Sequence, residues 1–211
     1  MSLALDITTA NPALSNASKM PCKSWSLEAG STCPGQFDKT GTIDPVCSDC
    51  YAQKGRYVMD NVAAVRIHNR QDWKAPDWTD MMVQVIGRRP MFRWFDSGDC
   101  YALELAHKIY EVMKRTPNTK HWFPTRMGRF AKFQAILKAM HRLDNVVVRH
   151  SAFGYDRKPT NKIGSMVYRD KAAPASAHAC PAYQTKAGSC RKANCFACWD
   201  KEVKLIAYPG H

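Results

Sequence analysis

Nine cysteines constrain this chain more than any other sequence feature, because seven of them fall into two sets with spacings typical of metal or iron–sulfur ligation. The first cysteine set is Cys33, Cys47 and Cys50, and the second cysteine set is Cys180, Cys190, Cys195 and Cys198. Each set contains a C-x-x-C pair, a spacing that lets two thiolates converge on one metal centre. The sequence therefore predicts a metal or cluster site toward each end of the chain.

Disulfide bonds are the alternative use of these cysteines, and they require an oxidising compartment. Residues 1–15 contain neither a basic start nor a continuous apolar stretch of signal-peptide length, so a reducing cytosol is expected. In that compartment, cysteines with these spacings more often bind metal. Zinc sites also use C-x-x-C pairs, so zinc stays an alternative. The wide outer spacings of both sets, together with the family resemblance given below, favour [4Fe-4S] clusters, one or two per chain.

The number of thiolates in each set predicts its chemistry. Three thiolates leave one iron of a cluster free for a substrate or cofactor, unless Cys22 or a residue of the second set fills that position. Four thiolates complete a cluster or a tetrahedral zinc, which is typical of a structural or electron-carrying site. One cluster held from both ends of the chain is a further alternative. Cys22 and Cys100 fit neither set and are predicted to be buried, unreactive thiols.

Length and charge limit the partners. A chain of 211 residues fits one domain, and no apolar run approaches the length that crosses a bilayer, so no membrane partner is expected. The formal net charge of +13 indicates a polyanion such as nucleic acid, or an anionic ligand. The basic residues come in short scattered pairs, at 88–89, 114–115, 157–158 and 191–192. A nucleic-acid surface would need these pairs to converge in space.

The single domain of residues 1–211 divides into three parts. Residues 1–59 form a loop-rich segment with cysteines, residues 60–170 form a βα core, and residues 171–211 carry the second set and a last strand. Apolar periodicity predicts helices at 60–70, 77–87, 101–115 and 129–141. Strands are predicted at 91–95, 121–125, 145–149, 165–168 and 204–208. This alternation predicts an α/β fold, either a partial (β/α) barrel or an open, mostly parallel sheet.

Polar residues follow the predicted strands, at the end where parallel sheets and barrels bind their ligands. We predict catalytic roles for Asp96, Asp99 and Arg126, and cofactor binding by Ser97, Gly98, Thr125 and His150. His211 follows the last strand. Structural roles are the alternatives: Asp99 or Ser97 as the N-cap of the next helix, Arg126 as the partner of a carboxylate, and Gly98 in a tight turn.

Three stretches of this chain resemble the phage-encoded gene-product-88-like proteins. They are Thr32-Cys33-Pro34-Gly35, then Cys47-x-x-Cys50-Tyr51-Ala52, then the run from Phe92 to Asp99. The end of the chain, from Cys180-Pro181-Ala182 to Cys198-Trp199-Asp200, is also similar to that of many members. The resemblance implies a viral origin and hence the host cytoplasm as the place of action.

A looser resemblance is to radical S-adenosylmethionine (radical SAM) enzymes. That superfamily implies a partial βα barrel, three cysteines on one [4Fe-4S] cluster and a glycine-acid motif, here Ser97-Gly98-Asp99. Cys33 lies far upstream of Cys47, unlike the compact cysteine loop of that superfamily, which leaves the use of S-adenosylmethionine open. The expected function is redox or radical chemistry on an unknown ligand, with an electron donor. The alternative is a zinc- or cluster-stabilised nucleic-acid-binding accessory protein without catalysis.

Overall fold

The computed structural model describes residues 9–184 and 188–210, and it shows an α/β fold with one seven-stranded sheet in the order β1-β2-β3-β4-β5-β7-β6. The strands are β1 (Ser24–Trp25), β2 (Met91–Trp94), β3 (Lys120–Thr125), β4 (Val146–Tyr155), β5 (Gly164–Tyr168), β6 (His178–Ala179) and β7 (Leu205–Pro209). The helices are α1 (Pro45–Ser48), α2 (Asp60–Asp72), α3 (Trp78–Ile86), α4 (Leu103–Arg115), α5 (Ala131–Arg142) and α6 (Pro181–Gln184). Short 3-10 turns occupy Pro34–Gln36, Tyr51–Gln53, Gly55–Val58, Met127–Arg129 and Ala197–Trp199.

Every strand pair in this sheet is parallel, which confirms the predicted fold class. From β1 to β5, neighbours in the sheet are also neighbours along the chain. Strands added in this order, with connections of one hand, place their helices on one face of the sheet. Accordingly α3 packs against α4 and α4 packs against α5. The other face is left for the polypeptide segments that carry the cysteines.

An aromatic core fills the space between the sheet and the helices. Trp25, Trp78 and Trp94 are fully buried, and the Trp25 ring centroid lies 5.2 Å from that of Trp78 and 6.2 Å from that of Trp94. Both contacts are edge-on, the arrangement that the ring quadrupoles favour. Trp25 belongs to β1, which has two residues and was not predicted from the sequence because so short a strand shows no periodicity.

The helix predicted at 60–70 is present as α2, but it buries the polar side of the helix. Arg66, Asn69 and Asp72 are buried, whereas Ile67 is about half exposed, at 51%. The Asn69 amide donates to the carbonyls of Ala13 and Ser26, at 2.9 and 3.0 Å. The helix therefore holds the N-terminal loop through hydrogen bonds, where the sequence predicted an apolar contact surface.

The N-cap predicted for α4 is wrong. The helix begins at Leu103 with Ala102 as its N-cap, because the carboxylate of Asp99 and the hydroxyl of Ser97 bind other partners. Helix α3 ends at Ile86, and Gly87 follows as its C-cap with a φ of 53°.

Acid is expected to destabilise the fold through His121 on β3, whose side chain is fully buried. Its Nδ1 accepts the Trp94 indole N–H at 3.2 Å, and its Nε2 lies 2.9 Å from the Thr116 hydroxyl oxygen. Burial lowers the pKa of His121 to about 3, so the folded ring stays neutral where the unfolded chain, with a pKa near 6.5, binds a proton. The free energy of unfolding therefore rises with pH from about 3 to 6.5, by up to ~1.4 kcal/mol per pH unit.

Denaturant unfolding between about pH 4 and pH 7 measures this slope. His121→Asn is expected to reduce the slope by about one proton, whereas His107→Asn, on the exposed side of α4, should retain it. Equal slopes for the His121→Asn and wild-type proteins would show that His121 does not cause the acid sensitivity.

Candidate active site

A cavity of about 310 Å³ lies against the face of the sheet that the helices leave free. Residues at the carboxyl ends of β2 and β3 line it, together with parts of β4, β5 and β7. Both cysteine sets reach it: the lining includes Cys33, Cys47, Cys50, Cys180, Cys190 and Cys198. The fold thus brings thiols from the two ends of the chain to one cavity.

The first cysteine set lies on the loop between β1 and α2. Cys33 precedes the 3-10 turn Pro34–Gln36, Cys47 is in α1, and Cys50 follows that helix. Burial raises the pKa of Cys33 to about 12, and the charges of Asp99, Cys47 and Cys50 add to this rise. Burial also raises the pKa of Cys47 to about 11, against the opposing charge of Arg126. The three sulfurs are therefore close enough to repel one another as thiolates, a repulsion that a bound cation relieves.

The second cysteine set lies on the segment that follows β6. Burial raises the pKa of Cys190, and the charges of Cys180 and Cys195 raise it further. Burial raises the pKa of Cys198 to about 12; its Sγ lies 3.2 Å from the Tyr208 hydroxyl.

Two further residues, His178 and Cys22, lie beside the second set. Cys195 does not line the cavity. Its Sγ lies 3.2 Å from Nε2 of His178, a possible metal ligand that the sequence analysis did not consider. Cys22 lies beside the second set: burial raises its pKa, the charge of Arg93 opposes that rise, and the charge of Cys190 adds to it. Cys22 is only partly buried, so the prediction that it is a buried thiol is wrong.

Cys100 is fully buried, as predicted, and the cavity does not include it. Among residues 9–184 and 188–210, no three His, Cys, Asp or Glu side chains meet closely enough to hold a single metal ion.

Six of the seven polar residues predicted for the site line the cavity. They are Asp96, Ser97, Gly98, Asp99, Thr125 and Arg126. His150 does not line it, because β4 continues to Tyr155 and leaves His150 in the middle of the strand. Its ring packs against Gly128, where an added Cβ would lie 2.4 Å from Nδ1. His211 lies outside the described residues.

Asp99 links the ends of β2 and β3. Its Oδ1 accepts from the Cys100 N–H and the Thr125 hydroxyl, both at 2.7 Å, and its Oδ2 accepts from the Arg126 N–H at 2.8 Å. Burial raises the pKa of Asp99, while these three hydrogen bonds oppose the rise. The carboxylate therefore fixes the rim of the cavity.

Asp96 pairs with Arg66 of α2, with 3.3 Å between guanidinium nitrogen and carboxylate oxygen, and both side chains are buried. The same guanidinium donates to the Ser97 hydroxyl, which in turn donates to the Leu27 carbonyl at 2.7 Å. Sequence analysis missed Arg66 because it assigned the apolar side of α2 to the core. The sequence does place polar residues at every third position of this helix, and this spacing could have indicated a polar buried side. The residues are Arg66, Asn69 and Asp72.

Arg126 forms an ion pair with Asp44, a carboxylate that is fully buried. The carboxylate also accepts from the N–H groups of Val46 at 2.7 Å and Gly154 at 2.9 Å. Arg126 therefore has the structural role that was the alternative to a catalytic one, as the partner of a carboxylate. It also lines the cavity. Asp44 followed by Pro45 is an N-cap signal, but the sequence could not indicate its bonds to Arg126 and Gly154, which lie 82 and 110 positions away.

Gly98 is required at its position for two reasons. Its φ is 72°, and an added Cβ would lie 2.6 Å from the Thr32 hydroxyl oxygen and 2.9 Å from the Leu27 backbone carbon. Gly98→Ala is expected to lower the free energy of unfolding by about 3 kcal/mol, because left-handed backbone strain and overpacking add. Gly41→Ala is the control: its φ is 83° with nothing within 4 Å, so it costs only the strain, about 1 kcal/mol. Urea unfolding compares the two, and equal losses would contradict the close approach of Leu27.

The sequence model of a family described as gene product 88 matches residues 4–200, which confirms the predicted family. Neither the curated proteins nor the solved structures gave a match. In the part of the chain that the structure describes, no helix is long and apolar enough to cross a membrane.

Proposed function

The chain belongs to the gene product 88 family, and we propose that it is an iron–sulfur protein that performs redox or radical chemistry on a small ligand in the host cytoplasm. One observation carries this proposal: six cysteines from two distant segments line one cavity at the carboxyl ends of parallel strands. That end of a parallel α/β sheet is where ligands bind.

The number of thiols in each set supports two clusters of different kinds. The first set offers three thiols beside the cavity, and three thiolates leave one iron of a [4Fe-4S] cluster without a protein ligand. Such a cluster, when bound, would supply single electrons and an open coordination position. The second set offers four thiols that influence one another, which suits a closed cluster that carries electrons. The looser resemblance to radical SAM enzymes suggests S-adenosylmethionine as the cofactor at this open position.

The polar rim positions a ligand beside the first set. The hydrogen bonds of Asp99 fix Thr125 and Arg126 relative to the end of β2. The Arg66–Asp96 ion pair fixes the turn that follows β2. Arg126 stands near the first set, since its charge acts on Cys47. In this proposal Asp96, Asp99, Thr125 and Arg126 orient the ligand, and Gly98 allows the turn to pack closely. His150 has no part in it.

The open iron is tested by EPR spectroscopy of anaerobically purified, dithionite-reduced protein. Cyanide, a small ligand that binds an exposed iron, is expected to change the spectrum of the wild-type protein. S-adenosylmethionine is added in a parallel sample, and a change with that cofactor would assign it to the site. An iron–sulfur spectrum that neither compound alters would show that protein ligands complete both sites, and the enzymatic proposal would fail.

Nucleic-acid binding by a metal-stabilised accessory protein is the second candidate, and the net charge of +13 favours it. At the end of α4, however, Arg115 pairs with Asp80 at 2.7 Å and Lys114 with Glu111 at 3.8 Å, which reduces the free positive charge there. Retention on immobilised DNA and RNA, measured across a salt series, tests this candidate. Steep salt dependence together with an unreactive metal site would favour it over the redox proposal.

A further inference from the structure

Arg93 projects into the cavity from β2. Successive strand residues point to opposite faces of a sheet, and the neighbours Phe92 and Trp94 are both fully buried in the core beneath the helices. Arg93, between them, lines the cavity, and its guanidinium lies 4.4 Å from the ring centroid of Trp122 on β3. A cationic side chain therefore stands on the floor of the site.

The other cationic side chains that line the described cavity are already engaged. Arg126 pairs with Asp44, and the Lys19 ammonium lies 4.1 Å from the centroid of the Tyr183 ring. Asp96, whose charge reaches Arg93, is paired with Arg66. Among the described residues, no carboxylate oxygen lies within 4.0 Å of a guanidinium nitrogen of Arg93, so Arg93 has no ion-pair partner there.

The hydrogen bonds of Arg93 are also incomplete. Its guanidinium hydrogen-bonds to the side chain of Tyr51, and its Nη1 donates to Met20 Sδ at 3.4 Å, a weak acceptor. Its Nε, however, is buried without a hydrogen-bond partner in the described structure. A guanidinium has five N–H donors, and enclosing it costs free energy unless those donors are paired. Carboxylate and phosphate groups, two of whose oxygens can accept parallel hydrogen bonds from one guanidinium, are its preferred partners.

We propose that Arg93 binds an oxyanion of the substrate, a carboxylate or a phosphate group, within the cavity. The substrate would then lie between the two cysteine sets: Tyr51, which follows Cys50, is one neighbour of Arg93, and Tyr208, which contacts Cys198, is another. This inference rests on the proposed function for what happens to the substrate, although the anion site itself requires no cluster. The alternative to this inference is that Arg93 only balances the charge of the second set. Its charge lowers the pKa of Cys22, Cys190 and Cys198, against the larger effect of burial.

Isothermal titration calorimetry of the anaerobic full-length protein, with inorganic phosphate and with acetate as probes, tests the site. The wild-type protein is expected to bind at least one probe, and the tighter one identifies the class of oxyanion. Arg93→Met, which keeps an unbranched stem against Trp122, should weaken binding at least tenfold. Arg93→Lys keeps the charge but loses the planar pair of donors, and should weaken it at least threefold. Lys74→Gln, which removes an exposed charge outside the cavity, is the control and should bind as the wild type does.

Two results would overturn the inference: no binding of either probe by the wild-type protein, or unchanged affinity in the Arg93 variants. If Arg93→Met does not fold, Arg93→Lys alone decides between these outcomes. Iron and sulfide are measured on the same samples. A protein that holds iron and sulfide but binds neither anion contradicts this inference alone, whereas anion binding by a protein without iron contradicts the proposed function alone.

Discussion

A Cys47→Ser variant purified without oxygen is expected to hold about half of the iron of the wild-type protein, about four irons instead of eight. Cys47 belongs to a set of only three thiols, so its loss leaves two, too few to hold a cluster. The second set lies on another segment and should keep its own cluster. Iron and acid-labile sulfide per chain measure the effect.

Cys100→Ser is the matched control, because this thiol is fully buried outside both sets. Its iron content should equal that of the wild type. Complete loss of iron in Cys47→Ser would instead support one cluster held from both ends of the chain, and unchanged iron would remove Cys47 from the ligands.

Asp44→Ala is expected to lower the free energy of unfolding by about 3–5 kcal/mol, the largest loss among the non-cysteine variants considered. The carboxylate is fully buried, pairs with Arg126, and accepts from the N–H groups of Val46 and Gly154. Its removal leaves a mostly buried guanidinium unpaired and takes the N-cap from α1, the helix that carries Cys47. Urea unfolding at constant metal content measures the loss.

Asp80→Ala is the control for the Asp44 variant, since Asp80 also pairs with an arginine but both partners are exposed. Such surface pairs contribute between zero and about 1 kcal/mol. Similar losses in the two variants would contradict the structural role assigned to the buried Asp44–Arg126 pair.

The sequence was sufficient for the elements with long or clear periodicity. Strands β2, β3, β5 and β7 and helices α3 to α5 lie where the alternation of apolar residues predicts them, within a few residues at their ends. β1 and β6, with two residues each, carry no such pattern and form only because a neighbouring strand pairs with them. After Arg149 the sequence shows no clear alternation of polar and apolar residues, so the continuation of β4 to Tyr155 was not predicted. His150 was therefore expected at the end of the strand, on the rim of the site.

Part of the site could be predicted from the sequence because the strands that carry it were predicted. The rule that ligands bind at the carboxyl ends of parallel strands correctly brought Asp96, Asp99 and Arg126 to the cavity. Arg66, Asp44 and Arg93 were missed because their roles depend on partners far along the chain or on the absence of one. A charged residue on a strand of alternating burial, such as Arg93 between Phe92 and Trp94, is a signal that sequence analysis alone can use.

The central claim is that the two cysteine sets hold iron–sulfur clusters, and the metal and acid-labile sulfide content of anaerobically purified protein tests it most directly. We expect brown protein with about four irons and four sulfides for each cluster, about eight of each per chain. A colourless protein that carries zinc and no sulfide would contradict the claim and leave nucleic-acid binding as the function to pursue.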